Sequence, residues 1–137
     1  MSLNRRILVA EDDAGVRDLI RTRLSAAGYD THTAHDGLEA IQRIRDLRPE
    51  GLVLDINMPG MDGFGVLEAI KADANLRNTR VLVLTARHAA DDVQRAVALG
   101  AKDFLTKPFN EKQLVERVAR LLRAPIAAPA HANDLLV

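Results

Sequence analysis

Five short apolar runs recur along this chain of 137 residues at similar intervals, each followed by a stretch with helical spacing. The runs fall at 6–10, 29–34, 52–54, 81–84 and 103–106. The first and fourth are continuous and rich in Leu and β-branched residues, the pattern of strands buried on both faces of a parallel sheet. Between the runs, Val16, Leu19, Ile20, Leu24 and Ala27 form one helical stripe, with Gly28 as a stop. Ala40, Ile41, Ile44 and Leu47 form a second stripe, ended before Pro49. Phe64, Leu67 and Ile70 mark a third helix; Val93, Ala96 and Val97 mark a fourth, closed by Gly100. Leu114, Val118, Leu121 and Leu122 mark a fifth, with Arg117, Arg120 and Arg123 toward its C-terminal end, where cations suit the helix dipole. Strict β–α alternation, five times over, predicts a doubly wound parallel α/β sheet with helices on both faces. Right-handed crossovers leave few topologies open.

The length suits one domain with a single core and no staples. Lys plus Arg equals Asp plus Glu, 19 of each, so charge gives no reason to expect nucleic acid or an anionic membrane as a partner. Cysteine is absent, which excludes disulfides, a thiol nucleophile and thiolate metal sites, and suits a reducing cytoplasm. No stretch approaches the ~20 apolar residues of a membrane span. The charges of residues 1–6 have no apolar run behind them to make a secretory signal. The reading is a soluble, cytoplasmic, single-domain chain. After Arg123 the sequence turns to alanine and proline, so residues 4–123 are expected to form the folded unit and 124–137 a tail or a truncated linker.

Ligands of an open parallel sheet bind beyond the C-terminal ends of its strands. There stand Glu11, Asp12 and Asp13 after the first strand, Asp55 after the third, Thr85 after the fourth and Lys107 after the fifth. Clustered carboxylates repel one another. A hard divalent cation relieves that repulsion, and magnesium takes one or two carboxylates and keeps its waters. A metal on one oxygen of Asp55 leaves the other free to attack a phosphoryl group. Lys107 would share the phosphoryl charge, and the Thr85 hydroxyl would donate to it, with small Ala86 leaving the approach open. Singly, each residue has a plainer explanation: Asp13 as a helix N-cap, Thr85 as a β-former, Lys107 as a surface lysine. Those explanations do not account for all of them standing at the same end of four strands.

At these residues the chain resembles the receiver domain of bacterial two-component response regulators. The matching text is Ile7-Leu8-Val9-Ala10-Glu11-Asp12-Asp13, Leu54-Asp55-Ile56-Asn57-Met58-Pro59-Gly60-Met61-Asp62-Gly63, Leu84-Thr85-Ala86, and the segment from Gly100 to Phe109 containing Thr106-Lys107-Pro108. Thr85 lies 30 residues after Asp55, and Lys107 lies 52 after it. The resemblance covers about residues 4–123 and implies a flavodoxin-like sheet of order 2-1-3-4-5 with five helices. It implies Asp55 as phospho-acceptor and Glu11 and Asp12 as the acidic pair, with Asp12 the direct metal ligand and Glu11 acting through water. It implies the Asn57 backbone carbonyl as a further ligand, magnesium (or manganese) as the ion, and a cis Lys107–Pro108 bond. Thr85 and Phe104 would form the switch, the ring moving inward as Thr85 turns to the phosphoryl group. Phe104 lacks the hydroxyl of the frequent tyrosine, so packing alone would bias that switch. Gly51 stands where an aliphatic is usual and is expected to loosen the start of the third strand. Asn57 and Arg87 flank the site and are expected to tune the phosphate lifetime.

The function so implied is a signalling switch rather than an enzyme for a separate substrate, although it would catalyse its own phosphorylation and dephosphorylation. Its phosphodonor would be a sensor histidine kinase or a histidine phosphotransfer protein. The readout surface is expected to be the face of the fourth helix, fifth strand and fifth helix, around residues 91–98 and 111–120, used for dimerisation (a possible homodimer) or for binding a partner; neither nucleic acid nor a membrane is expected as a direct partner. Three rivals fit less well. A haloacid-dehalogenase-like phosphotransferase needs a second Asp where Asn57 stands. A flavodoxin-like nucleotide binder needs a phosphate cradle where Glu11, Asp12 and Asp13 would repel phosphate. A phosphorylation-independent interaction module has no need of Asp55, Thr85 and Lys107 together. His32, His35, His88 and His131 have no metal or phosphotransfer spacing and are expected to be incidental.

Overall fold

The computed structural model describes residues 5–86 and 89–123. The expected tail, residues 124–137, lies outside them, as do Arg87, His88 and His131. The elements are β1 (Arg6–Ala10), α1 (Ala14–Ala26), β2 (Asp30–Ala34), α2 (Gly37–Leu47), β3 (Gly51–Asp55), α3 (Gly63–Ala72), β4 (Arg80–Thr85), α4 (Ala90–Ala98), β5 (Asp103–Thr106) and α5 (Glu111–Arg123), with one 3-10 turn at Ala74–Leu76. The strands form one sheet in the order β2-β1-β3-β4-β5, and every pairing is parallel. This is the flavodoxin-like 2-1-3-4-5 architecture that the alternation and the resemblance predict.

Successive strand residues send their side chains to opposite faces, which divides the core in two. Leu8, Ala10, Leu52, Leu54, Val81 and Val83 pack under α2 and α3 against Ile44, Phe64 and Leu67. Ile7, Val9, Val53, Leu82 and Leu84 pack under α1 and α5 against Ile20, Leu24, Leu114 and Val118. Helix starts are set by aspartate caps. Asp13 accepts from the Val16 amide at 2.9 Å, Asp36 from Glu39 at 2.8 Å and Asp62 from Gly65 at 3.0 Å, each satisfying a backbone donor that the first turn leaves unpaired. The capping reading of Asp13 therefore holds. Helix α4 has no such side-chain cap, and only Ala96 of its residues is buried. Arg95 on its outer side lies over the Phe64 ring at 4.0 Å, tying α4 to α3. Gly28 and Gly100 end their helices at φ +103° and +109°, where a Cβ would be strained.

Three expectations need correction. Leu19 and Val97, assigned to core stripes, are 44% and 52% exposed. Each precedes or follows a fully buried residue (Ile20, Ala96) and is rotated about 100° from it around the helix. Gly51 does not loosen β3. A Cβ there would stand 3.0 Å from Ile7 Cδ1 and 3.1 Å from Leu122 Cδ2, so neighbouring side chains already fill the place of the missing aliphatic. Gly51→Ala is expected to destabilise by about 1 kcal/mol, because crowding outweighs the entropy gained in the unfolded chain. A rise in the urea midpoint on that substitution would show that a void exists after all.

Candidate functional site

The strand order places the ends of β1, β3, β4 and β5 side by side. Asp55 is the last residue of β3 and Thr85 the last of β4; Glu11 directly follows β1 and Lys107 directly follows β5. Three of these side chains are nearly sealed: Glu11 is 1% exposed, Asp55 3% and Thr85 2%. Lys107 is the positive charge between the buried acids, its Nζ 3.0 Å from Glu11 Oε1 and 3.4 Å from Asp55 Oδ1. Backbone donors complete the arrangement. The Asn57 amide donates to Asp55 Oδ1 at 3.1 Å, and the Asp13 amide donates to Glu11 Oε2 at 3.1 Å. The Lys107 amide donates to the Thr85 carbonyl at 2.7 Å, fixing β5's exit against β4. The Lys107–Pro108 bond is cis, as the resemblance implies.

Burial and the negative charge of Glu11 push the Asp55 carboxyl up to about 7, against the lowering pull of Lys107 and the Asn57 amide. Burial alone would lower Lys107; its hydrogen bond to Glu11 and the charges of Asp55 and Glu11 outweigh that and raise it. Glu11, Asp12 and Asp55 each offer a carboxylate oxygen, all within 4.8 Å of one another, and Asp12 is the exposed member of the three. This oxygen-rich set is one that a hard divalent cation could occupy. The acids open into a cleft of about 670 Å³ that also reaches Asn57, Ala86, Lys107 and Phe109.

Thr85 faces a second, smaller cleft of about 400 Å³, lined by Ala86, Ala90, Val93, Phe104 and Thr106. Its Oγ1 is buried and, among the described residues, has no hydrogen-bond partner. An orphaned buried hydroxyl costs folding energy, so Thr85→Val, which keeps the shape, is expected to raise stability by about 1 kcal/mol in urea denaturation. A loss of stability instead would mean that the hydroxyl is already bonded. Phe104 is 38% exposed, its ring outside the core. Of the histidines, His35 is exposed and bonded to Glu39, and His32 lies 3.1 Å from Asp30; neither lines the acidic cleft.

A linear reading misses two contributors. One is the Asp13 amide on Glu11. The other is Arg17, whose Nη1 reaches back to the Glu11 and Asp12 carbonyls. The only signal for the second is an arginine one turn into the helix that follows three acids.

Residues 7–119 match the family model of the response regulator receiver domain. The chain belongs to that family. As a receiver it is 42% identical over 118 residues to the response regulator MprA of Mycobacterium ulcerans, covering 86% of this chain and 50% of MprA. It is 36% identical over 129 residues to the DNA-binding response regulator MtrA of Mycobacterium tuberculosis, covering 94% and 55%. The chain thus spans about half the length of these curated relatives. Among solved structures, the chemotaxis response regulator CheY4 of Vibrio cholerae superposes with a TM-score of 0.83 at 32% identity, over 88% of this chain and all of that one. The receiver domain of NtrX from Brucella abortus gives 0.80 at 32% identity, over 87% and 99%. The receiver is thus a domain of two-component signalling, and no helix among its described residues is long and apolar enough to cross a membrane.

Proposed function

We propose that this receiver accepts a phosphoryl group on Asp55 from a phosphohistidine of a sensor kinase or histidine phosphotransfer protein, and that the modification switches its surface. The observation that carries the reading is Asp55 itself: a carboxylate at a strand's end, buried, beside Glu11, Asp12 and Lys107, at the mouth of an open cleft. An Asp55 oxygen attacks phosphorus, the phosphorus–nitrogen bond breaks, and the imidazole leaves and takes up a proton. Lys107 moves its ion pair from Asp55 to the phosphoryl oxygens, and Thr85 Oγ1, which has no partner among the described residues, donates to another. The hydroxyl's departure from the smaller cleft makes room beside Ala90 and Val93 into which the Phe104 ring can turn.

Magnesium would be held by Asp12, Asp55 and the Asn57 carbonyl, with Glu11 acting through water, and manganese would substitute. The chemistry a bound cation supplies is neutralisation of charge on the transferring group. The receiver domain spans 4–123, with 124–137 as a tail or truncated linker, and it works in the cytoplasm. The face of α4, β5 and α5 is the surface read out, by a second copy or by another protein. Asn57 sets the phosphate lifetime together with Arg87.

Intact-mass spectrometry after incubation with a small acyl phosphate tests this. One phosphoryl addition is expected in wild type with magnesium, and none in Asp55→Asn or with EDTA. No addition to folded wild type with magnesium bound would sink the reading, and addition that survives in Asp55→Asn would move the acceptor elsewhere.

A further inference from the structure

Glu11 is fixed on every side: its amide donates to the Ala34 carbonyl at 3.1 Å, and its carboxylate takes the Asp13 amide and Lys107. Asp12 is different. It is exposed, and among the described residues neither its amide nor its carboxylate forms a hydrogen bond. The carbonyls of Glu11 and Asp12 also precede the first helical bond of α1, which runs from the Arg17 amide to the Asp13 carbonyl at 2.8 Å. No helical N–H is left for them. The Arg17 side chain supplies the donor instead. Its Nη1 lies 2.8 Å from the Glu11 carbonyl and 3.3 Å from that of Asp12, and it forms no ion pair with any carboxylate of the described residues. A planar guanidinium can span two acceptors in a fixed geometry; an ammonium is a point charge on a flexible stem.

We infer that Arg17 is a positioning residue for the cation site, aiming the Asp12 carboxylate by holding the backbone of the acidic loop. The inference rests on the reading of Glu11, Asp12 and Asp55 as that site. Outer partners that orient metal ligands typically affect metal affinity by about 10- to 100-fold. The sign of the effect separates positioning from charge. A bare positive charge beside the acids repels a divalent cation, so if Arg17 acted by charge alone, its removal would tighten binding. If it acts by positioning, removal weakens binding.

Calorimetric titration of MgCl2 into the metal-free protein, at fixed pH and ionic strength, decides between them. Arg17→Ala is expected to bind magnesium about tenfold more weakly, with Arg17→Lys intermediate. Arg21→Ala, which removes the same charge from the same helix where, among the described residues, it pairs only with Asp18, should bind as wild type does. Melting followed by circular dichroism establishes that each variant is folded. If Arg17→Ala does not fold, Arg17→Lys carries the comparison, since it keeps the charge and loses only the two-carbonyl geometry. Equal or tighter binding by Arg17→Ala, or by Arg17→Lys in its place, overturns the positioning role. Wild type that takes up no magnesium overturns the cation site and the inference with it, whereas a binding wild type with unaffected variants overturns the role of Arg17 alone.

Discussion

Asp55→Asn is expected to stabilise the metal-free receiver by about 2–4 kcal/mol near pH 8, by less than half of that near pH 5 and by little toward pH 4. The sign follows from the direction in which burial and Glu11 move the carboxyl, from 3.8 up to about 7. Between those values the folded protein holds a proton that the unfolded chain has released. Folding is therefore opposed progressively as pH rises through that window, and the full cost is felt above it. At about 1.4 kcal/mol per pH unit the upper bound lies near 4 kcal/mol. Asparagine keeps the shape and an acceptor for the Asn57 amide but cannot ionise. Urea denaturation in EDTA at several pH values measures the effect. The gap between wild type and variant should shrink steadily from pH 8 to pH 5 and close toward pH 4. Parallel profiles would show that Asp55 titrates normally and is not strained.

Lys107→Met should act in the opposite direction, costing about 3 kcal/mol without metal. Among the described residues the ammonium is the cation paired with the two sealed acids, 3.0 Å from Glu11 and 3.4 Å from Asp55. Removing one partner of a buried charge cluster leaves the others uncompensated. Saturating magnesium should restore most of the loss, since a ligand that binds only the folded state stabilises it by mass action. Losses should also fail to add. In the double variant Asp55→Asn/Lys107→Met one of the stranded charges is gone, so the cost of losing Lys107 should shrink. Urea curves with and without magnesium provide the check. An equal loss in both conditions would mean that Lys107 contributes packing rather than charge.

The parts of this receiver legible in its sequence are those where one signal dominates. β1 and β4 announce themselves because both of their faces are buried, so Ile7–Ala10 and Val81–Leu84 are apolar without a break. β2 reads more weakly, since four of its five residues are only half-buried. β3 begins one residue before its apolar run, at Gly51, because a glycine carries no hydropathy signal even where Ile7 and Leu122 close over it. Leu19 and Val97 mislead because spacing alone does not tell which edge of a stripe a core covers. For the candidate site, strand ends were enough to gather Glu11, Asp12, Asp55, Thr85 and Lys107. The unpaired state of Thr85 and the reach of Arg17 were not legible. Both depend on rotamers and on backbone groups, which leave no mark in residue order.

Helix α4 rests on the sheet through Ala96 and leans on α3 through Arg95 and Phe64, while the rest of its surface packs on little. Asp91, Gln94, Val97 and Ala98 are therefore under almost no obligation to the core. They can be exchanged for other residues at small cost to folding, and without disturbing the cluster that holds α1 and α5 on the far side of the sheet. The acidic cleft has no such freedom, because Glu11, Asp55 and Lys107 are buried or half-buried and tied to one another. One molecule thus joins a part that must stay the same to a part that is free to vary. On the function proposed above, that division would let many such domains share one chemistry in the same cell and still be told apart by the proteins that read them.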